Sequence, residues 1–176
     1  MKLFLNSLSM AVLSICVMTM LSLSITRIYA QEVNQQAELN QQNSEQLLES
    51  QKEVVALFFE AAKTGNNEII HEFLKHGFPV DVKNHAGFTP LMMATYYGHQ
   101  NVVATLLENG ADRCARDNKG NTALMGAIFK LEWSIAKQLN KADCDINAKQ
   151  TGQKTVAEFA KMFGQENQLK KLSIEN

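Results

Sequence analysis

Gly87-Phe88-Thr89-Pro90-Leu91-Met92-Met93-Ala94 is the stretch on which the fold of this chain turns. A glycine permits a tight turn. Thr89 follows with a hydroxyl placed to cap a helix, and Pro90 occupies the first helical turn, where its missing N–H costs nothing. Gly98 ends that short helix in the left-handed conformation a helix end favours. His99 to Glu108 then reads as a second helix, with Val102, Val103, Leu106 and Leu107 facing inward, and Asn109-Gly110-Ala111-Asp112 stops it.

Outward from this unit the same residues return at a fixed interval. Thr89, Thr122 and Thr155 are 33 residues apart, and Leu91 and Leu124 keep the period. So do Ala61, Ala94, Ala127 and Ala160, then Gly65 and Gly98, Leu74 and Leu107, and Gly77 and Gly110. Self-similarity of this length marks a stack of helical repeats, with units at about 52–83, 84–116, 117–149 and 150–173. The pattern Gly-x-Thr-Pro-Leu…Ala…Gly-His…Val-Val…Leu-Leu…Gly-Ala-Asp, strongest across residues 84–116, resembles the ankyrin repeat. The resemblance implies an all-α fold: an ankyrin-repeat solenoid of about four helix-turn-helix units joined by β-hairpin-like loops. Met92 and Met125 stand where the family has His, so apolar packing should replace a polar contact there. Leu131 and Asp143 stand where the period asks for Gly, which predicts a modified inter-helix turn and a costlier helix end in the third unit. Gly152 falls one residue early, so an irregular last hairpin is expected. Trp133 takes the place of a core hydrophobe.

The first thirty residues are different in kind. Lys2 gives a positive start, Leu3 to Ser24 is dominated by apolar residues, and Ile28-Tyr29-Ala30 precedes a polar Gln31-Glu32. That order reads as a secretory signal peptide over residues 1–30, cleaved after Ala30, with an uncleaved anchor through Met10 to Thr26 as the alternative. It places the folded part in a periplasm, or outside a secreting cell, and confines membrane contact to export. Ile15 before Cys16 argues against a lipidated cysteine. Residues 31–49 carry six glutamines and three asparagines, and the composition predicts a solvated linker, helical in part. Ser50 and Glu53 have capping-box spacing, so a helix is expected to start there and the repeat domain to cover 50–176.

Composition limits the chemistry. The chain has 17 Lys and Arg against 18 Asp and Glu, with no basic cluster of the kind that grips nucleic acid. His71 and His76 superficially resemble the histidine pair of a zinc-protease helix, but a separation of five turns them about 140° apart. No metal, cofactor or catalytic set is expected. Outside the leader the cysteines are Cys114 and Cys144, with no Cys-x-x-Cys. A bridge needs Cα atoms within roughly 7 Å. Adjacent repeats make that marginal, so two buried thiols are the expectation and a disulfide the alternative.

What remains is a binding surface. The resemblance implies contact through the concave side, at hairpin tips and at the two residues before each helix-ending glycine. Carried onto this sequence, the helical positions are Lys63 and Thr64, Tyr96 and Tyr97, Phe129 and Lys130, Met162 and Phe163. The turn positions are His85, Ala86 and Phe88, then Asn118, Lys119 and Asn121. Among these, His85, Phe88, Tyr96, Tyr97, Asn121, Phe129 and Lys130 are the expected partner contacts, since large aromatic side chains carry much of the energy of protein interfaces. The expected function is a non-enzymatic protein-binding module whose partner is another exported protein. The alternative is an inhibitor, or a stabilising or immunity factor, for an exported enzyme. The chain is also similar to short periplasmic ankyrin proteins of bacteria, some linked to peroxide defence.

Overall fold

The computed structural model describes residues 2–141, 144, 145, 148 and 152–174; within residues 2–30 the side chains described are those of Met18, Met20, Arg27 and Tyr29. Eight helices make up the regular structure of the described residues: α1 Lys2–Thr64, α2 Asn67–Lys75, α3 Pro90–Tyr96, α4 Gln100–Glu108, α5 Ala123–Lys130, α6 Trp133–Leu139, α7 Val156–Met162 and α8 Glu166–Ile174. None of the described residues is a strand. The chain divides into two compact units, Met1–Lys52 and Glu53–Asn176.

The N-terminal unit is helical, and α1 corrects one expectation. No helix begins at Ser50; its hydroxyl donates to the Gln46 carbonyl oxygen at 3.0 Å, a bond internal to the helix. The reason lies in composition. No glycine or proline precedes Gly65 in the sequence, and the stretch 31–49 is built mainly of Gln, Glu, Leu and Ala, which lose little on entering a helix. Gln36 donates to Asn40 at 3.4 Å and Gln41 to Glu45 at 3.1 Å, the one-turn side-chain pairs that support an exposed helix. Residues 31–52 are all exposed. Among the described residues, no helix is long and apolar enough to cross a membrane.

The C-terminal unit is the repeat stack. Each first helix begins on its period threonine: the Thr89, Thr122 and Thr155 hydroxyls accept from the amides of Met92, Met125 and Glu158 at 3.3, 3.3 and 3.2 Å. The Thr155 and Glu158 pair closes a full capping box. From there α3 packs on α4 and α5, α5 on α6 and α7, α7 on α8, and α2 and α6 on α4. The core is the periodic set itself: Leu91, Ala94, Val102, Val103, Leu106, Leu124, Ala127, Ile135, Ala136, Leu139 and Ala160 are all buried. Met92 and Met125 are buried with them, as apolar packing in place of the family's His requires. In the first unit Phe58 stacks on Phe73 and meets Phe78 edge-on, with centroids 5.2 and 4.9 Å apart. Trp133 is partly buried against the core.

Leu131 ends α5 in the left-handed region at φ 61°, the one non-glycine there among the described residues. The turn is kept and the residue is strained, because a Cβ in that conformation crowds the carbonyl oxygen. Asp143 lies outside the described residues, as do residues 149–151 of the last hairpin.

Candidate functional site

The hairpins are organised by short polar side chains that bend the backbone around themselves. In the first, Asn84 Oδ1 accepts from the amides of Ala86 and Phe88, each at 3.0 Å. In the second, Asp117 Oδ1 accepts from the amides of Lys119 and Asn121, each at 2.8 Å, and the Asn121 side chain donates to Asp117 Oδ2 at 3.0 Å. Successive hairpins are then tied together. The Asn118 amide donates to the Ala86 carbonyl at 3.1 Å, and its side chain to the His85 carbonyl at 2.9 Å. Gly87 makes this approach possible: a Cβ on it would meet the Asn118 backbone nitrogen at 2.7 Å, and its φ is +79°.

The sequence-chosen residues accordingly separate into two groups. Asn121 is occupied by Asp117, and Phe88 is half-buried against the core, so both shape the hairpins. His85 is exposed at the first hairpin tip. Tyr96, Tyr97, Phe129 and Lys130 lie at the ends of α3 and α5, and there the structure brings them together.

Those ends carry a continuous row of rings. His99 lies face to face with Tyr97 at 6.5 Å, and Tyr97 meets Tyr96 edge-on at 5.5 Å. Tyr96 lies parallel to Phe129 at 6.5 Å, and Phe129 meets Phe163 edge-on at 5.1 Å. Phe159 closes the row, 4.8 Å from Phe163. The Lys130 ammonium sits 4.8 Å from the Tyr96 ring centroid, within cation–π range. Despite these contacts Tyr96, Tyr97, Phe129 and Phe163 remain 39%, 47%, 47% and 43% exposed. Four large rings spanning three repeats are therefore held in place by one another while still presenting apolar surface to solvent.

The row is anchored from beneath. His99 Nε2 donates to the Lys63 carbonyl at 2.7 Å, which fixes the ring that backs Tyr97. Gly65 leaves the space, since a Cβ there would meet the imidazole at 2.5 Å. Lys63 bonds Glu60 at 3.0 Å, and that hydrogen bond, with Glu60's charge, holds the ammonium above the ordinary lysine range.

A second set of residues clamps neighbouring repeats. Cys114 and Cys144 form a disulfide, with Cα atoms 5.0 Å apart, which corrects the expectation of two buried thiols. The reason is the stagger of the stack. The Asp112 amide donates to the Asp81 carboxylate 31 residues away, and Lys83 Nζ to the Arg116 carbonyl 33 away. A pair separated by 30 residues falls in the same ladder. Arg116 reinforces the junction, donating to the carbonyls of Gly120, Cys144 and Lys154 at 2.6, 3.2 and 3.2 Å. Burial pushes the Asp81 carboxyl above its ordinary range, partly countered by the Asp112 amide. His76, one of the two histidines of the rejected zinc spacing, pairs instead with Glu72 at 2.8 Å, which lowers the Glu72 pKa.

A family model for ankyrin repeats (3 copies) matches residues 33–117 and 57–150, together more than half of the chain. The chain belongs to the ankyrin-repeat family. Ankyrin repeats are protein–protein interaction modules, and the family is generally non-enzymatic. Relatives share the repeat over limited stretches. The chain is 47% identical over 68 residues to Protein HOS4 of Saccharomyces cerevisiae, covering 38% of this chain and 6% of that one. It is 33% identical over 90 residues to the ankyrin repeat-containing protein P1E11.10 of Schizosaccharomyces pombe, covering 51% and 42%. It is 36% identical over 52 residues to the ankyrin repeat protein PA3287 of Pseudomonas aeruginosa, covering 30% of each. The chain thus spans less than half the length of each of these relatives.

Proposed function

We propose that this ankyrin-repeat protein is a non-enzymatic binding module that captures another protein on the row Tyr97–Tyr96–Phe129–Phe163. The observation that carries the reading is the exposure of four packed rings at positions where the repeat core does not need them. Exposed rings held at fixed spacing lose little conformational entropy on binding, which suits them as anchors. His85 at the hairpin tip and Lys130 beside Tyr96 extend the contact.

The compartment belongs to the same proposal. A positive start, an apolar run and a small residue before Gln31 support export of the chain to a periplasm or beyond the cell, with the partner an exported protein. The Cys114–Cys144 disulfide favours this placement, since disulfides persist in oxidising compartments. The fraction in which the partner resides is read out directly by the test. Affinity purification of the tagged chain from its native host is run beside a Tyr96→Ala/Tyr97→Ala variant that unfolds at the wild-type temperature. Recovery of a stoichiometric exported protein by the wild type and its loss with the variant is the expected result. Identical recovery by both removes the row from the proposal.

A further inference from the structure

We infer that the segment captured on this face is an acidic peptide stretch bearing aliphatic or aromatic side chains; the inference rests on the row being the binding surface. The fourteen positions read as the contact set contain Lys63, Lys119, Lys130 and His85 and no Asp or Glu, in a chain where acids outnumber bases. Two carboxylates beside these positions are already committed. Glu60 is bonded to Lys63, and Asp117 is occupied by the amides of its own hairpin and by Asn121. The Glu132 carboxylate lies against the helix end at Gly98, where a Cβ would meet it at 2.8 Å.

Lys119 is exposed at the tip of the second hairpin, and the exposed Lys130 places its ammonium over the Tyr96 ring. The contact positions therefore offer apolar rings, two exposed ammonium groups and two phenol hydroxyls. A partner that fills them must cover the rings with apolar side chains and meet the ammonium groups with negative charge. A basic segment would place like charges together, at a cost of several kcal/mol in interfaces generally. A neutral one would leave Lys119 without a partner on burial and Lys130 with the Tyr96 ring alone.

The test uses the full chain as bait for a random-peptide phage library, so the probe is a defined population and not an extract. Enriched peptides are synthesised and titrated against the wild type, Lys119→Glu/Lys130→Glu, and Tyr96→Ala/Tyr97→Ala. Expected are enriched sequences with an excess of Asp and Glu around Leu, Phe or Trp. Their binding should weaken about tenfold or more with either variant. It should also weaken between roughly 0.05 M and 0.5 M salt in the wild type alone, a readout independent of whether any variant folds. Enriched peptides that are neutral or basic, lost with the tyrosine variant but indifferent to charge reversal and salt, overturn the acidic-segment inference and leave the row as binding surface. Enrichment that survives the tyrosine substitutions, or none above that variant, overturns both.

Discussion

Removing the Cys114–Cys144 bridge tests the inter-repeat clamp quantitatively. The bridge closes a loop with a sequence separation of 30. In the chain-entropy account a cross-link of that span withholds about 12 cal/mol/K from the unfolded chain, or about 3.6 kcal/mol at room temperature. That is a large part of the roughly 5–15 kcal/mol that holds most domains folded. The perturbation is Cys114→Ala/Cys144→Ala, with the wild type in reductant as a second route to the same state. Both cysteines are half-buried at the junction, so the truncation itself removes little packing. Urea unfolding followed by far-ultraviolet circular dichroism should show a lower midpoint and an unfolding free energy reduced by about 3.6 kcal/mol. The slope should rise as well, because an unbridged unfolded chain exposes more surface. Free-thiol titration of the unreduced protein after unfolding should find Cys114 and Cys144 unreactive. Coincident curves for bridged and unbridged protein would refute the reasoning, since the cross-link would then constrain nothing that unfolding releases.

Three smaller perturbations follow from single residues. Leu131→Gly relieves a left-handed leucine that is 54% exposed and has little packing to lose. It should raise stability by about 1 kcal/mol by urea midpoint, and a loss would show that the side chain contributes more than its conformation costs. Among the described residues the buried Thr95 hydroxyl has no hydrogen-bond partner, so Thr95→Val should be neutral or stabilising by up to about 1 kcal/mol; a clear destabilisation would reveal a bond the hydroxyl makes. Asp81 has a folded pKa raised by burial, so its contribution favours the fold below the ordinary aspartate range and is lost as pH rises through the raised value. Asp81→Asn lacks that titration. Its stability relative to wild type should climb between about pH 3 and pH 7 in parallel urea series, and the opposite trend would reverse the sign assigned to Asp81.

The repeat stack was legible because its determinants are local and periodic. A threonine cap, a proline in the first turn and alanines 33 apart carry their meaning wherever they occur. The positions of Tyr96, Tyr97 and Phe129 were legible for the same reason, but their mutual packing was not, because ring contacts between successive units depend on the stagger of the stack. The same stagger hid the disulfide: spacing alone left the Cys114 and Cys144 Cα distance marginal, whereas the Asp112–Asp81 and Lys83–Arg116 bonds show how closely the junctions stack. Arg116 gave no signal either, since one arginine in a loop is ordinary until three carbonyls converge on it. At Ser50 the capping-box spacing misled. A cap terminates a helix only if the residues before it refuse to be helical, and the Gln-rich, glycine-free stretch does not refuse.

Site-specific photo-crosslinking puts the central claim to its most direct test. A benzophenone side chain is placed at Phe129, in the ring row, and separately at Ser134, exposed on α6. Each protein is irradiated in its native host, and adducts are resolved by mass. The account predicts a discrete adduct with one exported protein from position 129 and none from position 134. An adduct formed equally from both positions, or from 134 alone, would contradict it.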